Sequence, residues 1–172
     1  MRIMPKLTGR LPGAVIAMLR IGPGERVVAW GSSPGDDATQ TLFAAATDKA
    51  LYLQATGDRL PWDRITKATW NDPLLELVVA GEDGGQPRLL RLDVKDARDL
   101  PAAVHDRVTA SVLVSERVDL GNGAGALMVA RRTDDDEVRW TVMFDSGLDV
   151  SDPALREAAD AALARLREAL GI

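Results

Sequence analysis

His105 is the only histidine in the chain. Imidazole is the side chain best suited to proton transfer near neutral pH, but a hydrolytic site also needs a nucleophile within reach and a group to orient the ring. The sequence contains no cysteine, and local spacing places no serine beside His105. The residue falls in a stretch of helical periodicity and reads as a helix-flank histidine. The run Asp134-Asp135-Asp136-Glu137 offers oxygen ligands of the kind Ca²⁺ or Mg²⁺ takes, yet lacks the glycine and closing glutamate of a calcium loop. It reads more simply as a solvated hairpin tip that keeps a sheet edge soluble. Gly121-Asn122-Gly123-Ala124-Gly125 imitates a phosphate-cradling loop, but such a loop must feed a helix N-terminus. Leu127 to Arg132 follow with a strand pattern, so the glycines predict a hairpin turn.

Two further groups bear on recognition. Arg131, Arg132, Arg139 and Trp140 are the makings of an anion or peptide site. Strand alternation sends Arg131 and Arg132 to opposite faces, which predicts one arginine paired with an acid near Glu137 and the other solvated. Four tryptophans stand against one tyrosine and two phenylalanines. Trp30, Trp62 and Trp70 lie in the first part of the chain and Trp140 in the second. An indole buries a large area and seeks a partner for its N–H, so these residues either line a groove or pack in cores and corners. On the groove reading, Trp62, Trp70, Arg132 and Trp140 are the residues expected to meet a partner. No residue is assigned to catalysis, to a cofactor or to a metal.

Composition narrows the function classes. The chain has 172 residues, 46% hydrophobic and 27% charged, enough for a sizeable core. Its net charge of −5 opposes general nucleic-acid binding and attraction to anionic bilayers. The charge is unevenly spread, since residues 1–20 hold Arg2, Lys6, Arg10 and Arg20 and no acid. The apolar stretch from Leu11 to Leu19 falls short of the ~20 residues of a membrane span. Arg20 follows it directly, without a small-residue cleavage pattern, so it does not read as a signal peptide. With no disulfide to form, a reducing cytoplasm is the expected location. Arginine outnumbers lysine and alanine is abundant, as in proteins of GC-rich bacterial genomes.

The elements that must position these residues read as follows. Residues 1–10 form a loose arm, and a short helix starts at Pro12, with Val15, Ile16 and Leu19 on one face and Gly22-Pro23-Gly24 as its stop. Strand patterns cover 26–31, 41–46, 49–54, 60–62, 65–70, 74–80 and 88–94. Between them lie a loop at 32–37, a tight turn at Thr47-Asp48, turns at 56–58 and 71–73, and a hairpin at 81–85. Asp99 caps a helix with Pro101 in its first turn and Val104, Val108 and Val112 at helical spacing. Strands at 112–120, 126–132 and 138–144 make a meander. Ser151 or Asp152 caps a final helix that Pro153 opens; it carries Leu155, Ala159, Ala162, Leu163, Leu166 and Leu170 as one stripe and ends at Gly171. Arg156 and Asp160 are spaced to pair on its wet face.

Glu25 to Trp30, Ala46 to Leu53 (ATDKALYL) and Leu60 to Ile65 (LPWDRI) together resemble bacterial pleckstrin-homology-like and GRAM-like domains. The whole chain, through residues 107–112, Arg131-Arg132 and Trp140, is similar to uncharacterised actinobacterial proteins of this type. The resemblance implies a seven-stranded antiparallel barrel closed by one helix, used as a scaffold for lipid headgroups, peptides or proteins. Phosphoinositide-binding members carry a basic cluster in the first loop. Here Ser32 to Asp37 holds two acids and no base, so lipid binding is not carried over.

The expectation is therefore an α+β protein: an arm and short helix over 1–24, a pleckstrin-homology-like barrel with its closing helix over 25–111, and a βββα extension over 112–172 packed on it. The function expected is that of a cytoplasmic, non-enzymatic binding module for a protein or peptide, acting through a sheet edge or a tryptophan-lined groove. Neither nucleic acid nor stable membrane insertion is expected. Three alternatives remain open: a small-ligand binder or enzyme with a pocket between the two parts, using Arg132, Asp63 or His105; membrane-surface association through the basic arm, which otherwise plugs an open barrel end; and a homodimer formed through the C-terminal stripe.

Overall fold

Extended segments make up the larger share of the regular structure in the computed structural model, which describes residues 9–37, 39–82 and 85–172. The described residues form an α+β protein with three α-helices and three antiparallel sheets. The chain divides into two compact units, the first ending at Thr109 and the second running from Ala110 to Ile172. Most of the expected arm, residues 1–8, lies outside the described residues.

In the first unit, α1 (Gly13–Leu19) precedes a four-stranded sheet of β1 (Val27–Pro34), β2 (Thr41–Thr47), β3 (Ala50–Leu53) and β4 (Asp58–Pro61), paired in that order. A three-stranded sheet follows, formed by β5 (Ile65–Asn71), β6 (Leu74–Val79) and β7 (Arg88–Asp93), and then α2 (Leu100–Ala110). Leu51 and Leu53 of the first sheet, Leu75 and Leu77 of the second, and Leu100 and Val104 of α2 meet in one apolar cluster. Leu100, Val104 and Val108 share a helix face because they are four residues apart.

The closed barrel expected from the sequence is not what these strands form. They lie in two separate sheets, and the break falls at Trp62–Arg64, a 3₁₀ turn between β4 and β5. Trp62, expected as the end of a strand, turns inward, and its indole N–H donates to the Thr47 carbonyl at 3.0 Å. That bond takes the chain out of the first sheet. A second correction concerns β1, which continues through Ser32, Ser33 and Pro34, expected as loop, because they pair with Phe43, Leu42 and Thr41. Gly31 permits the crossing there. A Cβ at that position would sit 2.9 Å from both the Asp96 carbonyl oxygen and Val94 Cγ1.

The first sheet is buried on both faces over β2 and β3. Ala44, Ala46, Leu51 and Leu53 enter the main cluster, while Ala45, Ala50 and Tyr52 alternate to the other face. There they meet Leu11, Val15 and Leu19 in a second cluster. α1 therefore covers the outer face of the sheet and plugs no barrel end. The run Ala44-Ala45-Ala46 suits this double burial, since small side chains let layers approach on both sides.

In the second unit, β8 (Val112–Gly121), β9 (Ala124–Arg132) and β10 (Val138–Phe144) form the expected meander, with β9 central. Val112, which fitted the α2 stripe as well, opens β8. Asn122 and Gly123 both have positive φ, 53° and 76°, as a two-residue primed turn requires. α3 (Pro153–Leu170) starts where Asp152 accepts from the Ala154 amide at 2.9 Å. Its Ala159 and Ala162 pack with Met128 and with the partly buried Trp140 and Val142 of the meander. Arg156, expected to face Asp160, donates to the Val150 carbonyl at 2.6 Å.

A larger side chain at Ala45, which is 0% exposed, must overpack the contact between β2 and α1. Ala45→Leu is expected to cost about 1–3 kcal/mol, read as a lower urea midpoint with an unchanged slope. Ala161→Leu on the exposed face of α3 is the control and should stay within about 0.5 kcal/mol of the parent.

Candidate functional site

The β2–β3 turn anchors a polar cluster that holds the approach to β1. Thr47 Oγ1 accepts from the amides of Ala50 at 2.9 Å and Lys49 at 3.1 Å, and it lies 2.8 Å from Glu25 Oε2, to which it donates. Glu25 Oε1 accepts from Tyr52 Oη at 2.9 Å and from Arg59 Nη2 at 3.1 Å. Arg59 Nε completes the ring by donating to Tyr52 Oη at 3.0 Å. These bonds tie the segment before β1 to β3 and β4. Burial raises the pKa of the Tyr52 phenol above its ordinary 10.0, the Arg59 donor opposes the rise, and the Glu25 carboxylate adds to it.

Beside this cluster opens a cleft of about 1290 Å³ along one edge of β1. Trp30 and Phe43 line it, with ring centroids 6.0 Å apart and planes tilted by 50°. Ile16 and Ile21 contribute apolar surface, and Arg10, Arg26 and Arg98 contribute charge. The Trp30 indole N–H donates to the Gly9 carbonyl at 3.4 Å. The Arg98 guanidinium lies over the indole, 3.8 Å from its centroid, in a favourable cation–π position. Arg98 adopts a left-handed backbone, φ 48°, and its Nε donates to Asp96 Oδ2 at 3.3 Å.

The main chain of β1 gives the cleft its chemistry. Ser32 exchanges both backbone hydrogen bonds with Asp96, at 3.0 and 2.9 Å, as an isolated antiparallel bridge. Bond directions alternate along an antiparallel ladder, so Trp30, two residues away, turns its N–H and C=O toward the same edge. No described residue pairs with them there. Val28 lies at the bulge between Val27 and Ala29 and is 38% exposed. The arrangement can hold an extended backbone with an apolar side chain against Val28 and Phe43, the Trp30 ring itself being covered by Arg98.

The residues singled out from the sequence fall elsewhere. Trp62 is buried beneath Thr47 and lines no surface. Trp70 is half-buried against the same core. Trp140 packs in the second unit's cluster, with its indole nitrogen buried and without a hydrogen-bond partner. Arg132 is exposed and pairs with Asp136 at 3.5 Å. The other arginine of the pair, Arg131, is not solvated as one of the two was expected to be: it is buried and donates to Ser111 Oγ at 2.7 Å. His105 is exposed on α2. The acidic run forms the β9–β10 turn, where the Glu137 amide bonds Thr133 Oγ1 at 3.0 Å, and Gly121 to Gly125 form the β8–β9 turn. Sequence reasoning counted Trp30 only among the tryptophans and passed over Arg26 and Arg98. Of the arginines at the cleft, only Arg10 fell within the basic bias of residues 1–20.

No protein-family model, no curated protein and no solved structure matches the chain.

The two partnered states of tryptophan separate energetically. Trp62→Phe strands the buried Thr47 carbonyl and should destabilise by about 1–3 kcal/mol. Trp140→Phe removes an N–H that has no partner, and its cost should be smaller by ~1 kcal/mol or more, both read from denaturant unfolding. Tyr52 is the only tyrosine, so tyrosinate absorbance reports it alone. Its midpoint should lie above 10.0 in the folded protein and rise further in Arg59→Ala. Because the folded pKa is raised, the stabilisation is complete below the unfolded pKa and is lost as pH climbs through the folded one. A folded midpoint at or below the ordinary value contradicts this reading.

Proposed function

We propose that the chain is a non-enzymatic bacterial binding module of the cytoplasm that receives an extended segment of a partner protein along the open edge of β1. The observation that carries this reading is the Trp30 main chain, which faces a cleft lined by aromatic and aliphatic side chains. An added strand gains backbone hydrogen bonds from such an edge and specificity from the pocket beneath alternate side chains.

Charge along the edges supports the choice of β1. The three sheets have six edge strands. β4, β5, β7, β8 and β10 each carry at least one Lys, Arg, Asp or Glu, whereas β1 reads VVAWGSSP and carries none. Charged side chains are a common guard against unwanted pairing, and β1 lacks them.

A pleckstrin-homology-like assignment for the first unit belongs to the same proposal. Its support is the order of seven antiparallel strands followed by a helix whose Leu100 and Val104 reach the core of both sheets. The acidic β1–β2 loop, with Asp37 accepting from the Thr39 amide at 3.0 Å, favours a peptide over a lipid headgroup.

Hydrogen exchange tests the proposal. In the free protein the Trp30 amide should exchange quickly for a strand residue. In a complex reconstituted with a partner recovered from the native cell, protection should appear at Trp30 and Val28. Protection confined to β4, to β8 or to the exposed face of α3 would overturn the assignment.

A further inference from the structure

The cleft has a charge pattern that its apolar lining does not require. Arg26 stands at the start of β1, and Arg10 follows Gly9, whose carbonyl receives the Trp30 indole. Both arginine side chains are exposed, and neither forms an ion pair with a described residue. The acids nearby are mostly committed. Glu25 is bonded by Thr47, Tyr52 and Arg59 and its side chain is 9% exposed. Asp96 is paired with Arg98. Asp99 is the remaining carboxylate of the lining, next to the α2 end of the cleft, beyond the Ser32–Asp96 bridge. Arg2, Lys6 and Arg20 add to the same sign in sequence, with no acid before Glu25.

We infer that the segment taken by β1 is acidic: an extended strand whose carboxylates meet Arg10 and Arg26 while an apolar residue between them packs on Val28 and Phe43. The inference rests on the strand-addition reading above and names the chemistry of its partner. Two arginines on the rim of a groove select carboxylates over neutral amides through exposed pairs, each modest in strength and sensitive to salt. The backbone bonds to Trp30 supply the rest of the affinity, and the bridge at Asp96 stops the added strand at Ser32.

Short alternating peptides on the full chain separate the two claims. A Val-Glu peptide should bind by calorimetry, protect the Trp30 amide from exchange, and weaken as salt is raised. The matching Val-Gln peptide should bind roughly tenfold more weakly, since two exposed ion pairs are lost, and a Val-Lys peptide should show no binding. Arg10→Glu combined with Arg26→Glu should reverse the order of the Glu and Lys peptides. Both positions are exposed, and circular dichroism of the variant checks that it is folded. Equal binding of the Glu and Gln peptides, with Trp30 protected, would overturn the acidic preference and leave strand addition standing. A Val-Glu peptide that binds equally well after methylation of its backbone amides would overturn strand addition and leave only charge attraction. Binding of none of the peptides at millimolar concentration would overturn both.

Discussion

Thr47 is the residue on which the first unit turns. Its side chain caps the β2–β3 turn through two amides and reaches Glu25, while its carbonyl receives the indole of Trp62. The residue is 0% exposed, so each of these polar groups must be matched within the protein. One position thus fixes three things: the register of β2 against β3, the entry of the chain into β1, and the departure from the first sheet after β4. A fault here would misplace the edge that the cleft depends on, because Glu25 lies two residues before β1 begins.

The double burial of β2 and β3 has a related consequence. A sheet with one wet face needs alternation only. A sheet covered by α1 on one side and by the main core on the other needs alternation and small side chains together, and the alanine run meets both needs. With α1 on the outer face, the segment from Ile21 to Glu25 must return along the sheet to start β1. The space between that return and the β1 edge is the cleft. The groove is thus a by-product of how the helix is seated, and Trp30, with its indole bonded to Gly9, is shared between the seat and the groove.

Much of the scaffold was legible because its signals are local. The turns at Thr47-Asp48, Asn71 to Pro73 and Asn122-Gly123 use residues with specific turn chemistry, and the α3 boundaries follow from Asp152, Pro153 and Gly171. What stayed hidden depends on pairing at a distance. Ser32 to Pro34 look like loop until Thr41 to Phe43 are placed beside them. Trp62 looks like strand until the Thr47 carbonyl takes its N–H. The cleft gathers Gly9, Arg26 with Trp30, Phe43 and Arg98 from four separate stretches, and nothing in the local sequence around Arg98 announces its left-handed backbone. The tryptophans misled for a related reason. A groove and a core ask the same thing of an indole, burial with a partner for its N–H, and only the partner's location tells them apart.

An uncharged edge strand is ordinarily a hazard, since it invites pairing with any exposed strand. β1 escapes the hazard through its setting. Its far end is closed by the Ser32–Asp96 bridge, and Trp30 lies at 4% exposure beneath Arg98, so of the strand's large apolar side chains Val28 alone is well exposed. The lining from α1 and the Ile21–Glu25 return makes the edge a recess. A flat sheet cannot enter a recess, but a single extended chain can. The exposed edges follow the opposite rule: β7 holds Arg88, Arg91 and Asp93, and β8 holds Glu116, Arg117 and Asp119. Where the edge is open, charge excludes partners. Where charge is missing, shape restricts them to one strand, and selection within that class falls to the arginines at the rim.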